Sequence, residues 1–230
     1  MPPSPLVLDF EGLDDRELIG DFYNNGPGGN GENFGYDFGI TFSDNALTLK
    51  DADAGGSSGN FGGETTPDNI LFFQSGPAAV MNVANGFRDG FSLFYSAISL
   101  PGKVNIYDDL EGKGSLLSSF DLPLTPDNGA PDPTGRFSPF LPAGTAFQGT
   151  ARSVVFEGAA RRIGFDNVTL GAATPLRGFT ADYAFYQPEE PESVPESSSG
   201  WMLLGLACGG AWLGRRRWGN SQSDIAQESI

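Results

Sequence analysis

A chain of 230 residues has room for one globular domain plus tails, and its 13 Lys+Arg against 29 Asp+Glu give a net charge of −16. That acidity excludes nucleic acid and makes anionic lipid a poor partner. The absence of any histidine excludes a Ser/His/Asp triad, a Cys/His pair and every imidazole-based metal site.

Glycine at 33 and proline at 17 promise many turns, and 19 phenylalanines can fill a core, which favours an all-β domain over a helical one. The single cysteine, Cys208, lies in an apolar run and leaves no disulfide within the chain. Met1-Pro2-Pro3-Ser4-Pro5 has neither a basic n-region nor an apolar h-region. Because the C-terminal pattern described below makes sense only on an exported chain, an export signal is expected upstream of Met1.

Leu6, Leu8 and Phe10 alternate with Val7 and Asp9 and predict a first strand, followed by Glu11-Gly12 and an acidic turn. Asn24 to Asn33 holds no apolar residue and reads as a loop. Tyr36, Phe38, Ile40 and Phe42 form a half-buried strand, and Ala46–Lys50 continues after a Ser43-Asp44-Asn45 turn. Asp51 to Pro67 is a second Gly-rich loop, long enough at seventeen residues to suggest function or mobility. Strands follow at Ile70–Phe73, Ala78–Val83, Phe91–Ser99, around Val104 and Ile106, and at Leu116–Leu122. Pro123–Pro142 carries six prolines and reads as irregular, before closing strands at Thr145–Phe147, Ser153–Phe156 and Arg162–Leu170. Many short strands with frequent turns predict an antiparallel β-sandwich, jelly-roll-like, with two sheets.

Two motif matches fail on context. Gly55-Gly56-Ser57-Ser58-Gly59 fits a nucleophile elbow but has no histidine and no strand-to-helix setting. Gly26-Pro27-Gly28-Gly29-Asn30-Gly31 fits a dinucleotide fingerprint with no helix after it. Carboxylate pairs can run glycoside hydrolysis without histidine, yet no pair stands out. Calcium is the better chemical expectation, because it takes carboxylate, amide and carbonyl oxygens on flexible loops. Asp51-Ala52-Asp53-Ala54-Gly55-Gly56 opens like an Asp-x-Asp-x-x-Gly loop, although Gly62 stands where an EF-hand needs glutamate. Gly28-Gly29-Asn30-Gly31-Glu32-Asn33 is a single Gly-Gly-x-Gly-x-Asp-like turn with Asn33 in the last place. For stacking against a sugar, all three tryptophans (201, 212, 218) lie near the C-terminus, leaving Tyr23, Tyr36, Tyr95 and Tyr107. Tyr36 and Tyr95 are as readily core, and Tyr107 is less so because its neighbours Val104 and Ile106 would face in, so Tyr23 and Tyr107 are the candidate ligand-binding residues.

Beyond the domain, Gln187-Pro188-Glu189-Glu190-Pro191-Glu192 reads as an extended acidic stalk. Then come Val194-Pro195-Glu196-Ser197, an uncharged apolar run from Gly200 to Gly214, and Arg215-Arg216-Arg217. The run can leave water as a single transmembrane helix, while the arginines hold its cytoplasmic end. Fifteen residues make a helix of about 22 Å, short of the ~30 Å hydrocarbon core, which suits a temporary anchor. Boundaries are drawn at 1–173 for the sandwich, 174–193 for the stalk, 194–218 for the anchor and 219–230 for a polar tail.

That C-terminal pattern resembles the PEP-CTERM sorting signal, a Val-Pro-Glu-Pro motif before a short helix and a basic cluster. Ser197 stands where the family has its second proline, and the tail Gly219–Ile230 is longer than the family's usual ending. The resemblance implies export, transient retention in the inner membrane, cleavage by an exosortase, and release to the outer membrane, cell surface or medium. An uncleaved single-pass anchor is the alternative reading of the same residues.

The sandwich, in turn, is similar to ectodomains of cyanobacterial PEP-CTERM proteins through Leu8-Asp9-Phe10-Glu11-Gly12-Leu13, Asp51–Gly56 with Gly59-Asn60-Phe61, and Gly164-Phe165-Asp166-Asn167-Val168-Thr169-Leu170. Its two ends are also similar to the first and last strands of carbohydrate-binding jelly rolls. This implies a structural calcium near Glu11 and Asp166, which with Asp51 and Asp53 make up the candidate metal residues. It also implies binding to extracellular polysaccharide. The expectation is a non-enzymatic, exported cell-envelope protein. The alternatives are a carboxylate-based glycan hydrolase or lyase, or an uncleaved membrane-anchored structural domain.

Overall fold

Eleven strands account for the regular structure of the computed structural model, which describes residues 5–32, 35–57, 68–97, 99–126 and 139–177. They are β1 (Leu6–Leu8), β2 (Ile40–Phe42), β3 (Ala46–Lys50), β4 (Asn69–Phe73), β5 (Ala78–Phe87), β6 (Gly90–Ser96), β7 (Gly102–Tyr107), β8 (Leu116–Leu122), β9 (Leu141–Ala146), β10 (Ala151–Glu157) and β11 (Gly164–Leu170). The stalk from residue 178 on, Val194-Pro195-Glu196-Ser197, the apolar run and Arg215 to Arg217 lie outside the described residues. Among the described residues no helix is long and apolar enough to cross a membrane.

Two antiparallel sheets form the expected sandwich. One runs β3-β4-β11-β6-β9, with β1 also paired to β11; the other runs β2-β5-β10-β7-β8. The chain changes sheet at nearly every connection, and only β3–β4 and β7–β8 are neighbours in both sequence and sheet. Between the sheets lies one core, with Phe10, Phe73, Phe91, Phe156 and Phe165 among its largest fully buried side chains. Phe156 and Phe165 meet across the sandwich with ring centroids 5.1 Å apart.

Open strand edges invite aggregation, and here the segment after β1 covers two of them. The Arg16 and Ile19 amides donate to Thr48 and Ala46 of β3, while β2 donates from Ile40 and Phe42 to Tyr23 and Gly20. This pairing also explains a shortened strand. The amides of Tyr36 and Phe38 donate to the Phe22 and Tyr23 carbonyls, and Gly39 takes a positive φ of 66°, so β2 starts only at Ile40. On the opposite side β8 and β9 are tied by the Ser118 and Thr145 hydroxyls, 3.0 Å apart. β9 begins at Leu141, inside the stretch expected to be irregular, and Pro142 is tolerated because β9 pairs on one side alone.

Surroundings differ between the sheets. Every residue of β4, β6 and β11 is buried, polar ones included. The chain leaving β11 crosses the outer face of this six-stranded sheet. The Ser92 hydroxyl donates to the Ala172 carbonyl, the Leu176 amide donates to the Thr169 hydroxyl, and the Arg177 guanidinium lies 5.1 Å over the Phe94 ring. Gly90 is required beneath this strap, where a Cβ would stand 2.5 Å from the Ala173 nitrogen. Leu176 and Arg177 thus pack on the sandwich, past the boundary drawn at 173. β5 and β8 of the other sheet instead mix buried and exposed positions, and β7 mixes buried and half-buried ones.

Candidate functional site

The first and last strands meet at a carboxylate cluster. Phe10 leaves β1 with φ 63°, a strained value for a bulky residue, held by its amide bond to the Tyr23 hydroxyl (2.9 Å) and edge contacts with Tyr23 and Phe42. The kink lets Asp9 Oδ1 accept from the Glu11 amide at 3.2 Å. Glu11 Oε1 accepts from the amides of Asp68 (3.0 Å) and Asn69 (2.9 Å) at the start of β4. On β11 the register to β6 shifts between Asp166 and Thr169, Asn167 takes φ 45°, and its amide donates to Asp166 Oδ1 at 2.6 Å.

These carboxylates influence one another. Burial, augmented by the negative charges of Glu11 and Asp166, raises Asp9 from 3.8 to about 6 against the opposing hydrogen bond from the Glu11 amide. Burial also raises Glu11, with Asp68 and Asp166 adding to it and the two β4 amides opposing it. Tyr23 is pushed well above the ordinary phenol range by burial first and Asp9 second. Beside them Asn69 donates from Nδ2 to the carbonyls of Phe10 (3.0 Å) and Leu13 (2.8 Å), and its buried Oδ1 has no hydrogen-bond partner among the described residues. Among the described residues, no three carboxylate or thiolate groups converge closely enough to hold a metal ion.

The structure brings Glu11 and Asp166 within electrostatic reach of each other, and adds Asp9 and Asn69, which the sequence reading missed. The missed signal for Asp9 was its place in the β1 alternation, opposite in phase to Leu8 and Phe10. Asp51 is buried in a turn closed on itself: its carbonyl accepts from Ala54 and Gly56, and its Oδ1 from Ala52 at 2.7 Å. Asp53 is exposed on that turn, away from the cluster's hydrogen bonds. Asp15 anchors the turn, accepting from the Lys50 amide and from the Ser57 amide and hydroxyl. Burial pushes the Asp15 carboxyl up, but these bonds outweigh it and hold it low. The 26–32 loop is likewise pinned by protein groups: Glu17 accepts from the Asn30 amide, and Asn30 Nδ2 donates to Asp14 at 2.8 Å.

Tyr23 corrects the expectation of an exposed platform. It has 0% exposure and its ring sits among Phe10, Phe22 and Phe42, because the segment covering the β2 edge turns it into the core. Tyr95 is buried as well, and Tyr36 is half-buried and stacked on Phe38 at 5.4 Å.

Tyr107 lies on the outer face of the five-stranded sheet. Val104 and Ile106 face the core, so Lys103, Asn105 and Tyr107 point the other way. Strand register aligns three rows across this face: Thr41, Asn82, Ser153, Tyr107 and Leu116; then Val80, Val155, Asn105 and Ser119; then Ala78, Glu157, Lys103 and Asp121. The β7–β8 connection folds back over the first row as a wall. The Asn82 amide group donates to Glu111 Oε1 and accepts from the Glu111 amide, while Ser153 Oγ accepts from Gly112 and donates to the Asp109 carbonyl. Gly112 has φ 64°, and a Cβ there would stand 2.6 Å from Val155 Cγ2. Tyr107, half-buried, edges this wall, and its hydroxyl makes no hydrogen bond among the described residues. Asn105 Nδ2 donates to Glu157 Oε1 at 2.6 Å, and Lys103 Nζ meets Asp121 at 3.3 Å.

No family model and no curated protein matches the chain. Among solved structures it is similar to the K2 cleaved adhesin domain of Lys-gingipain, at 12% identity and TM-score 0.44, over 73% of this chain and 99% of that one. It is similar at 14% identity and TM-score 0.33 to the K3 cleaved adhesin domain from Porphyromonas gingivalis, over 56% and 93% of the two chains. A family 29 carbohydrate-binding module from Piromyces equi matches at 17% identity and TM-score 0.31, over 57% and 89%. Likeness at this level carries no argument about function, which rests on the chain's own geometry.

Proposed function

We propose that this chain is a non-enzymatic, glycan-binding protein of the cell envelope, with a jelly-roll-like sandwich as its binding module. The observation that carries the reading is the outer face of the five-stranded sheet. It presents a half-buried tyrosine with a hydroxyl available, beside amide, hydroxyl and charged side chains in register. An aromatic face takes the C–H side of a sugar ring, while the exposed Ser119 and the half-buried Glu157, held in place by the buried Asn105, offer donors and acceptors to its hydroxyls. The opposite face of the sandwich is occupied by residues 171–177. Affinity electrophoresis of the full chain in gels containing polysaccharide tests this. Retardation that is lost in Tyr107→Ala supports it, and equal mobility with and without every polysaccharide overturns it.

Catalysis by the acidic cluster is the less favoured reading. Asp166 has no exposed surface and Asp9 only 5%, which leaves a glycosidic oxygen no approach to them. Calcium belongs to the proposal at Glu11 and Asp166, with Asp9 and the Oδ1 of Asn69 added. A hard cation would satisfy that orphaned oxygen and offset the repulsion among the carboxylates. As placed, the carboxylates do not close a three-membered set, so binding would require side-chain rotation toward the ion.

Export and sorting complete the proposal. Val194, Pro195, Glu196 and Ser197, followed by the apolar run and Arg215, Arg216 and Arg217, would pass through an exosortase at the inner membrane. Intact-mass measurement on fractionated native cells separates the outcomes. A species ending near Val194–Ser197 in the outer membrane or medium supports sorting; a full-length species in the inner membrane replaces it with a permanent anchor.

A further inference from the structure

At one end of the five-stranded sheet, three adjacent strand termini open a cleft of about 560 Å³ between Pro77 and Ala78, Pro101 and Gly102, and the Glu157–Gly158 end of β10. We infer that this cleft is the subsite that selects the polymer, accepting a neutral hexose unit and rejecting a uronate. The inference rests on the glycan-binding reading above and adds the class of glycan.

Its shape and charge both contribute. The volume falls within the ~300–1,000 Å³ typical of small-molecule sites. Proline rings carry no amide hydrogen, so Pro77 and Pro101 give rigid apolar walls suited to the C–H face of a pyranose. The end is fixed by the Gly158 amide, which donates to the Pro77 carbonyl at 3.0 Å. Polar groups come from the third row of the sheet, where register sets Lys103 between Glu157 and Asp121. The ammonium is already engaged by Asp121 at 3.3 Å, and Glu157 is positioned by Asn105 at 2.6 Å. One cation between two carboxylates leaves the row at net negative charge, on a chain that carries −16 overall. A uronate would bring a carboxylate into that field with no uncompensated cation to meet it. A neutral hydroxyl meets no such penalty. The ammonium retains two further N–H donors, and the carboxylate retains lone pairs for a sugar hydroxyl. The cleft adjoins Lys103, Asn105 and Tyr107, which alternate along β7, so a bound chain would run from the tyrosine toward the prolines.

The test is calorimetric titration of the full chain in mild detergent with cellohexaose, laminarihexaose and mannohexaose, against hexagalacturonate. The expected result is binding of at least one neutral hexasaccharide, with hexagalacturonate at least tenfold weaker. Glu157→Gln and Lys103→Met should each weaken the neutral ligand about tenfold or more. Lys103→Met serves as the readout if Glu157→Gln lowers the melting temperature, because the Lys103 side chain is 42% exposed. If Tyr107→Ala abolishes binding while both cleft variants bind like wild type, the cleft assignment is overturned and the glycan-binding reading survives. Equal or tighter binding of hexagalacturonate overturns the selectivity alone. No binding to any of the four overturns the reading and the inference together.

Discussion

The two sheets share a core but meet the outside differently. Gly90–Ser96 and Gly164–Leu170 of the six-stranded sheet are buried at every position, with Ser92, Ser96, Asp166, Asn167 and Thr169 among the buried polar residues. Along the five-stranded sheet, β8 mixes exposed and half-buried positions and β7 is buried only at Val104, Asn105 and Ile106, so that Lys103, Tyr107, Ser119 and Asp121 reach solvent. The strap 171–177 crosses one outer face over Ser92, Thr169 and Phe94, while the 108–115 connection rises over the first row of the other as a wall and, among the described residues, leaves Lys103, Ser119 and Asp121 in contact with solvent. One sheet thus serves as the scaffold for the strap and the carboxylate cluster, and the other remains available for a ligand.

Equivalent truncations on the two outer faces should separate them most. Phe94→Ala removes a ring packed with Ile70 and Phe140 beneath Arg177. It should cost about 3 kcal/mol in urea unfolding. Tyr107→Ala should cost about 1 kcal/mol, since its ring is half-buried. Equal losses would remove the distinction between the faces.

The cluster offers a contrast in sign. With chelator present, Asp9 contributes stability below pH 3.8 that is lost as pH rises through about 6, because its folded-state carboxyl holds the proton more tightly. The full effect is about 3 kcal/mol, and Glu11 shifts in the same direction. Asp9→Asn should therefore raise stability at pH 7 in EDTA by about 1–3 kcal/mol and flatten the profile between pH 4 and 6. Calcium should raise the melting temperature of the wild type and not of this variant. A wild-type melting temperature unmoved by calcium would remove the ion from the account.

Smaller effects probe the wall and the strap. Gly112→Ala forces a methyl toward Val155 at positive φ and should cost about 1–2 kcal/mol in thermal unfolding. Arg177→Ala should cost about 0.5–1 kcal/mol by loss of the cation–π contact, with faster amide exchange at Thr169 and Leu176.

Strand alternation makes much of this architecture legible in the sequence. Tyr107 is placed outward because Val104 and Ile106 have to face in, and β1 shows as the alternation of Leu6, Leu8 and Phe10 with Val7 and Asp9. What escaped depended on contacts distant in sequence. Tyr23 qualifies in the sequence as a stacking platform because nothing local reveals that its segment seals the β2 edge. Glu11 and Asp166 were joined only through a resemblance, while Asp9 and Asn69 needed the Phe10 kink and the β4 amides to bring them there. Glu157 and Lys103 face each other only through the β7–β10 register, which no local pattern specifies. Residues 174–177 of the strap fall within the predicted stalk because their composition does not show that Thr169 and Phe94 await them.

The most direct test of the central claim is amide chemical-shift mapping of the isotope-labelled full chain during titration with whichever neutral hexasaccharide binds. The account predicts shifts at Lys103, Asn105, Tyr107 and Ser119, with Ser92, Ser96 and Thr169 unmoved. Shifts centred on the six-stranded sheet and its strap would contradict it.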